Sequence, residues 1–581
     1  MQVMKAVHLR AVAAALLYAS PLFAATYYID SATGIDTNTG MSTTAAWAHA
    51  PGMTGCAKNC LSHVVAPGDQ FRFKGGSIWN SSSLPLTVGT SGQSGSPIYY
   101  GVNTSWFSGT NSGSVNTNGT QVIWASGNAF YPGSAWANGA ITINGANYTI
   151  ASVQGPYSLT LTTSAGSQSG VSYSNSLFQR PIFNNGFANG NDAIHLNSGV
   201  SYITIDSIEI TGVLMTDAGS GASINIGGAT NGNILIENMD IHNWNRCTGS
   251  GTPVSACTGA VTDNSFNEGG IYAAMYSGLS PANMIVQYSN IGDPENGGNI
   301  GSATRGIQTL IGNYLHDTTQ ACLHGCQLVH DNVVARIGNS FDPSEHGNIF
   351  YSDMFTQGGN SVSTATAYIY NNWIIDTQTQ AADAQLYPNP GSSDVISSVS
   401  YYIFNNVISC TSANGCVTIS GTNVDPFGLG SQTVHIYDWN NTYNLLSAST
   451  CVLVTNRGLS ISSLDVRNLH CIQPSGGTLV NPVGTITYTD SNMLLQTTST
   501  ANGQGYAAPV WGPANGGTVG AGTNLSANCT GSLSALCNST TLGGTIASPP
   551  PRGATWDIGA YSFSTSQVTL SPPSSIRAVV H

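Results

Sequence analysis

The stretch Gly325–Asp376, GCQLVHDNVVARIGNSFDPSEHGNIFYSDMFTQGGNSVSTATAYIYNNWIID, carries one unit twice, as Val329-His330-Asp331-Asn332-Val333-Val334 and Ile369-Tyr370-Asn371-Asn372-Trp373-Ile374. Each copy is a short β-prone run, an Asn at a bend and a second β-prone run. Between them stand Asp342, Glu345, His346 and Asp353, the densest group of titratable side chains in the chain.

Working outward, the bend Asn or a stand-in recurs. It is found in Ile203–Ile210, Ile234–Ile241, Ile285–Ile291, Leu310–Leu315, Ile403–Ile408, Ile436–Asn441 and Leu464–Leu469. Intervals between bend Asn residues run from 19 (313 to 332) to 52 (238 to 290). Coils of roughly 20 to 30 residues fit the shorter intervals, a length in the range of solenoid periods, and the longer intervals imply loops. Asn suits a bend because its short amide tolerates the left-handed region. Stacked copies can also pass hydrogen bonds from coil to coil. Flanking apolar residues would pile inward as the core. An antiparallel sandwich would instead need hairpin turns, which are scarce outside one segment. In that segment, 121–173, the strand-like runs Ile141-Thr-Ile143, Tyr148–Val153 and Leu159-Thr-Leu161 are joined by Asn-Gly and Gly-Pro turns, which predicts a small antiparallel insert.

Charged residues make up only 7% of the chain, against about 25% in ordinary domains, and long surface helices need them. The expected class is therefore all-β. The first residues read as an export signal: Lys5 and Arg10, an apolar Ala11–Phe23, then Ala24-Ala25. Removing Lys5 and Arg10 leaves 11 basic against 26 acidic residues, a net charge near −15. That disfavours nucleic acid. No apolar run reaches the ~20 residues of a membrane-spanning helix. The 12 cysteines pair by proximity as Cys56/Cys60, Cys247/Cys257, Cys322/Cys326, Cys410/Cys416, Cys451/Cys471 and Cys529/Cys537. In an exported chain these read as disulfides.

Three segments carry a resemblance. They are the opening Tyr27-Tyr28-Ile29-Asp30, the run Pro67-Gly68-Asp69-Gln70-Phe71-Arg72-Phe73-Lys74-Gly75 and the strand Ser94-Gly95-Ser96-Pro97-Ile98-Tyr99-Tyr100. Together they resemble the start of secreted right-handed parallel β-helix proteins of the pectate-lyase-like superfamily. The ending Arg552–Tyr561, with Asp557-Ile558-Gly559-Ala560-Tyr561, is similar to the closing segment of many of them. There Arg552, Trp556 and Asp557 are expected to cap the solenoid, because an open end exposes strand edges. The expected organisation is a signal (1–25), an N-terminal cap and first coils (26–120), the insert (121–173), the β-helix (174–480), C-terminal coils and cap (481–565) and a tail (566–581).

The resemblance implies an extracellular polysaccharide lying along one sheet face. Candidate strands of that sheet are 192–196, 223–226, 270–273, 347–351 and 383–387. Candidate catalytic residues are His346, Glu345, Asp342 and Arg305, and candidate substrate contacts are Glu268, Tyr272, His324, Tyr351 and Asp383. A β-eliminating lyase needs a base and a cation. The only lysines after the signal, Lys58 and Lys74, precede the coils, so Arg305, Arg336 or His346 would serve, with Asp342, Glu345 and Asp353 open to Ca²⁺. A glycosidase needs two carboxyls. Trp244, Tyr272, Tyr276, Tyr351 and Tyr387 could stack on sugars or fill loops. His330, Asp331, Asp376 and His435 adjoin bends and read as structural. The leading reading is a monomeric, secreted or periplasmic polysaccharide lyase or glycoside hydrolase. The alternative is a non-catalytic β-helix adhesin or carbohydrate-binding scaffold.

Overall fold

The computed structural model describes residues 24–188, 192–215, 222–228, 230–246, 269–273, 282–292, 302–318, 320–337, 349–354, 364–377, 385–390, 398–410, 418–420, 433–446, 450–455, 461–482, 486–506, 516–540 and 551–562. The chain is an all-β, right-handed parallel β-helix with an inserted antiparallel barrel. Successive coils contribute one strand to each of three walls. Sheet III takes strands such as Ile194–Leu196, Ala222–Ile226 and Gly269–Ala273. Sheet I takes Ser201–Asp206, Gly232–Glu237 and Ala282–Gln287. Sheet II takes Glu209–Thr211, Asp240–Ile241 and Asn290–Gly292. Sheets I and III are joined where the long strands Ser302–Ile311 and Gln320–His330 run through the corner between them. The five strands expected to share a sheet do so, as sheet III.

Asparagines hold the corner between sheets I and II. Asn313, Asn332, Asn372, Asn406 and Asn441 stand on one another across five coils. The Oδ1 of each higher residue accepts from both the backbone N–H and the Nδ2 of the one below, at 2.7–3.2 Å. The Nδ2 of Asn372, Asn406 and Asn441 also donates to the carbonyl of Val329, Ile369 or Ile403 in the coil below. All five are buried, so every amide valence is met where water cannot meet it.

The structure divides the bend between two consecutive residues. The left-handed residue is the one before the ladder: Asp331, Asn371, Asn405 and Asn440, at φ 53–58°. The ladder residue itself keeps a negative φ. Hence the doublets Asp-Asn and Asn-Asn. In the lower coils Ser207, Asn238 and Tyr288 take the left-handed place, and Ser289 stands in for the ladder, accepting from the N–H of Met239. Asn290, read from sequence as a bend, lies instead within a strand of sheet II.

The inserted module is larger than the sequence indicated. Six strands between Asn111 and Asn175 close into a barrel, rather than three within 121–173. Asn144-Gly145 makes the expected two-residue turn, both residues at positive φ. Leaving and returning chain are fastened side by side: Ser108 N–H donates to the Gly75 carbonyl, and Gly76 N–H to that of Arg180.

The barrel docks on the outer face of sheet II. Register aligns Glu209, Asp240, Asn290, Tyr314, Val333, Trp373, Val407, Thr442, His470 and Leu494 in one outer column. Barrel residues Trp124 and Tyr157 pack on Tyr314 at 5.8 and 4.5 Å. Toward the other end Tyr506 packs on His470, and Ala560 N–H donates to Thr442 Oγ1. Arg552 donates to the Gly559 and Ala560 carbonyls, while Trp556 joins Phe404, Trp439, Leu525 and Leu536 in a buried cluster. Arg552 and Trp556 thus fasten the C-terminal segment against the side of the coils that carry Asn405, Trp439 and Thr442. Trp244, open from sequence to stacking on a sugar or filling a loop, is fully buried and belongs to the core.

Disulfides Cys56–Cys60, Cys322–Cys326, Cys451–Cys471 and Cys529–Cys537 are formed as paired above. The other two expected pairs, Cys247/Cys257 and Cys410/Cys416, are not among the disulfides the structure describes. Cys247, Cys257 and Cys416, like the signal segment 1–23, lie outside the described residues, and of Cys410 only the strand position is described. Among the described residues, no helix is long and apolar enough to cross a membrane.

Two expectations follow. Asn406→Ala orphans the amide of Asn372 and the Ile369 carbonyl and should cost roughly 2–3 kcal/mol, whereas Asn371→Gly, at φ 54°, should change stability by under about 1 kcal/mol. Denaturant midpoints of the two variants check the contrast. The second concerns Asp438, which is buried within the column Ile369–Ile403–Asp438–Val466. Burial raises its pKa to about 6, against hydrogen bonds from Asn441 and Tyr443. Burial depresses His470 to about 4. As pH rises from about 4 to 6 the Asp438 contribution is lost, while the His470 contribution grows up to about 6.5. The stability of Asp438→Asn relative to wild type should therefore increase across pH 4–6, by at most roughly 3 kcal/mol, read by unfolding at stepped pH.

Candidate functional site

With the outer face of sheet II covered, sheets III and I remain. On sheet III the register places His195, Asn225, Tyr272, Arg305, Leu323, Tyr351 and Tyr387 in a single column. Alternation turns the neighbours Ile194, Ile224 and Ile271 into the core. The column thus gathers the strand positions of Tyr272, Arg305, Tyr351 and Tyr387, four of the residues singled out from sequence. It adds His195, which the sequence offers only as part of a strand. His195 Nδ1 lies 2.8 Å from Asp192 Oδ2, whose other oxygen accepts from Ala222 N–H. That hydrogen bond raises the imidazole pKa against partial burial.

Arg305 does not sit in the open as a catalytic cation would. It is 2% exposed, its guanidinium carbon 5.7 Å from the Tyr272 ring centre. Arg336 is tied down as well. It occupies a left-handed corner position, paired with Asp317 at 2.5 and 2.6 Å and donating to Tyr314 Oη. Its charge is spent on Asp317, whose pKa is driven far down despite burial. Glu268, Tyr276, Asp342, Glu345, His346 and Asp383 lie outside the described residues. For His324, Tyr351, Asp353, Asp376 and Tyr387 the described part is the strand position alone.

Sheet I presents a constellation that the sequence reading passes over. Asp206, Glu237 and Gln287 are in register on three successive coils. Each directly precedes the left-handed corner residue of its coil, which turns it outward. Asp206 Oδ2 accepts from Tyr99 Oη at 2.6 Å, and Oδ1 from Ser207 Oγ and Asn238 Nδ2 at 2.5 and 2.8 Å. Glu237 Oε2 accepts from Gln287 Nε2 at 2.7 Å. Both carboxyls are half-buried. Glu237 is pushed up by burial and by the Asp206 charge, against the Gln287 hydrogen bond. Tyr99 is pushed far up by burial and Asp206, and the Arg72 guanidinium lies 4.9 Å above its ring. The barrel reaches this spot through Tyr131, whose hydroxyl pairs with Ser207 Oγ. One carboxyl carrying three donors beside another biased toward its acid form is the asymmetry that separates a nucleophile from a proton donor. The signal available in the sequence is their common place in the repeat, Ile205-Asp206-Ser207 and Ile236-Glu237-Asn238.

Glu209, Asp240 and His242 are the one metal-like group of side chains among the described residues, with ligand atoms within 4.8 Å of one another. Their valences are already taken. Asp240 accepts from Asn290 Nδ2 and Ala129 N–H and lies 4.0 Å from Arg180; Glu209 accepts from Asn128 Nδ2 and stands 3.2 Å from His242. Asn128 and Ala129 belong to the barrel side. The group therefore clamps barrel to solenoid.

No family model matches the chain, and no curated protein matches it. Among solved structures the chain is similar to a GH136 lacto-N-biosidase from Eubacterium ramulus, at 12% identity over 81% of this chain and 68% of that one, with a TM-score of 0.35. It is also similar to a rhamnogalacturonan lyase (12%, 81% and 87%, 0.33) and to a tailspike of Pseudomonas phage phi297 (12%, 74% and 72%, 0.28). The likeness is one of fold.

Because the Asp206 charge holds Glu237 up, Asp206→Asn should lower the pKa at which Glu237 titrates. Carboxyl ¹³C shifts followed with pH in the two proteins check this. An unchanged or raised Glu237 midpoint would mean that the two groups are not coupled.

Proposed function

We propose that this is an exported enzyme that hydrolyses a glycosidic bond in an extracellular polysaccharide on the outer face of sheet I. The observation that carries the reading is the Asp206–Glu237 pair: two carboxyls on adjacent coils with unlike surroundings. The coil-to-coil spacing of about 4.8 Å is close to the roughly 5–5.5 Å carboxyl separation of double-displacement hydrolysis. Asp206, held by Tyr99, Ser207 and Asn238, attacks the anomeric carbon. Glu237 gives its proton to the departing glycosidic oxygen. Water then enters, Glu237 takes a proton from it, and the glycosyl–Asp206 ester is cleaved with retention. Four disulfides support the exported state.

β-Elimination has less behind it. His195 with Asp192 offers a base on sheet III, but the nearby cation Arg305 is buried against Tyr272.

The test is release of new reducing ends from a panel of neutral and acidic glycans, with unsaturated products followed in parallel. Glu237→Gln and Asp206→Asn should each lower turnover by about 10²–10⁴-fold while glycan binding persists in affinity electrophoresis. Turnover should fall as pH rises through the raised Glu237 pKa, since the acid form is the working one. Wild-type turnover in both variants would remove the pair from the chemistry. Binding without any cleavage by the wild-type protein would leave the carbohydrate-binding scaffold in its place.

A further inference from the structure

Sheet I carries a second chemical group far from the carboxyl pair. Ser400, His435 and Ser463 are in register on three successive coils; the strands of His435 and Ser463 lie about six to eight rungs from those of Asp206 and Glu237, or on the order of 35 Å at the strand spacing. His435 Nδ1 lies 2.7 Å from Ser463 Oγ, and both residues are partly exposed. His435 is five residues before the left-handed Asn440. It is a mid-strand residue on the outer face, between the inward Val434 and Ile436, and not the corner residue expected from sequence.

The local backbone is irregular at this one place. Between Val434 and His435 the pairing with the next coil slips by one residue, so that Val434 faces Ile461 while His435 faces Ser463. Such a bulge re-aims side chains and is over-represented beside active sites. Here its effect is to set the hydroxyl against the imidazole. Two residues along the same face run Tyr368, Tyr402 and Tyr437 in register, their rings stacked at 5.6 and 4.4 Å and nearly parallel. Rings stacked on one another along the solenoid, and packed in part against the C-terminal cluster, leave edges and hydroxyls, not faces, to a ligand. The row therefore suits a ligand rich in hydroxyl and carbonyl oxygen.

From this arrangement we infer that Ser463 and His435 form an acyl-transfer site for carboxylic esters, the alcohol part being a sugar hydroxyl if the polysaccharide reading above holds. Ser463 Oγ adds to the ester carbonyl carbon as its proton passes to His435 Nδ1. The tetrahedral adduct collapses by breaking the bond to the alcohol oxygen, which leaves with the proton from His435. Water, deprotonated by His435, then cleaves the Ser463 ester, releases the carboxylic acid and restores the hydroxyl. No further reactant is needed.

Treatment of the intact protein with a fluorophosphonate, followed by peptide mapping, should place one covalent adduct on Ser463. Hydrolysis of p-nitrophenyl acetate should fall about 10²–10⁴-fold in His435→Gln and to background in Ser463→Ala. O-acetylated glycans should release acetate. Absence of an adduct on Ser463 in wild-type protein overturns the inference without recourse to any variant, as does ester turnover unchanged in Ser463→Ala. Aryl acetate cleavage with an adduct on Ser463, but no acetate from any glycan, would keep the acyl-transfer site and count against the polysaccharide reading.

Discussion

Burying an amide side chain is tolerable only if each of its hydrogen-bonding valences is filled. In this protein that requirement sets the geometry. An Asn in one coil is satisfied by an Asn at the same place in the next, and by a carbonyl of the coil below. Two coils cannot slip against each other by one residue without breaking three hydrogen bonds at a corner closed to water. The ladder therefore fixes register, and register fixes which side chains share a column. The two outward columns described above, His195–Asn225–Tyr272–Arg305 on sheet III and Asp206–Glu237–Gln287 on sheet I, lie in the coils below it, where Ser289 stands in for the ladder and strand pairing carries the register. The order of the residues within a column is the order of the coils.

The three walls have different fates. Sheet II gives its outer face to the barrel at one end and to the C-terminal segment at the other, and its column turns from Glu209 and Asp240 to Tyr314, Val333 and Trp373 as the contact turns from polar to apolar. Among the described residues, sheet I meets the C-terminal segment at Phe404 and Trp439, with Tyr370, Tyr402 and Tyr437 packed beside them, and meets the barrel at Ser207. Its lower coils keep half-buried carboxyls, and its upper coils keep tyrosine hydroxyls and the Ser463–His435 pair. Charge is scarce along this chain, so the few titratable groups on open faces stand out against Asn, Ser and Thr.

Much of the architecture is legible because the ladder repeats in the sequence as Asp-Asn or Asn-Asn between β-prone runs. Asn332, Asn372 and Asn406 stack as that spacing requires, and Arg180–Phe183 leads into the strand that resumes the solenoid. Which member of each doublet turns and which stacks is not legible, since both are amides and only φ separates them. The barrel's closure is hidden for another reason: its strands 111–118 and 167–175 pair across some fifty residues, whereas local turn signals report only neighbours. Asp206 and Glu237 escape notice because their corners, Ser207-Ile208 and Asn238-Met239, lack the second Asn. The titratable cluster 342–353 draws attention in their place, and most of it lies outside the described residues. His195 reads as one more strand residue, and nothing in sequence shows that Asp192, three residues away, folds back on it.

The barrel leaves and re-enters the solenoid at adjacent points, its two ends tethered to Gly75 and Gly76. A unit attached in this way behaves as a side branch on a winding thread. It can close on contacts within its own segment while the coils before and after it wind past, and neither process waits for the other. A corner that has accepted one such branch has no mechanical reason to refuse a different one, so the same scaffold could exchange this barrel for another module and leave every rung of the ladder where it is.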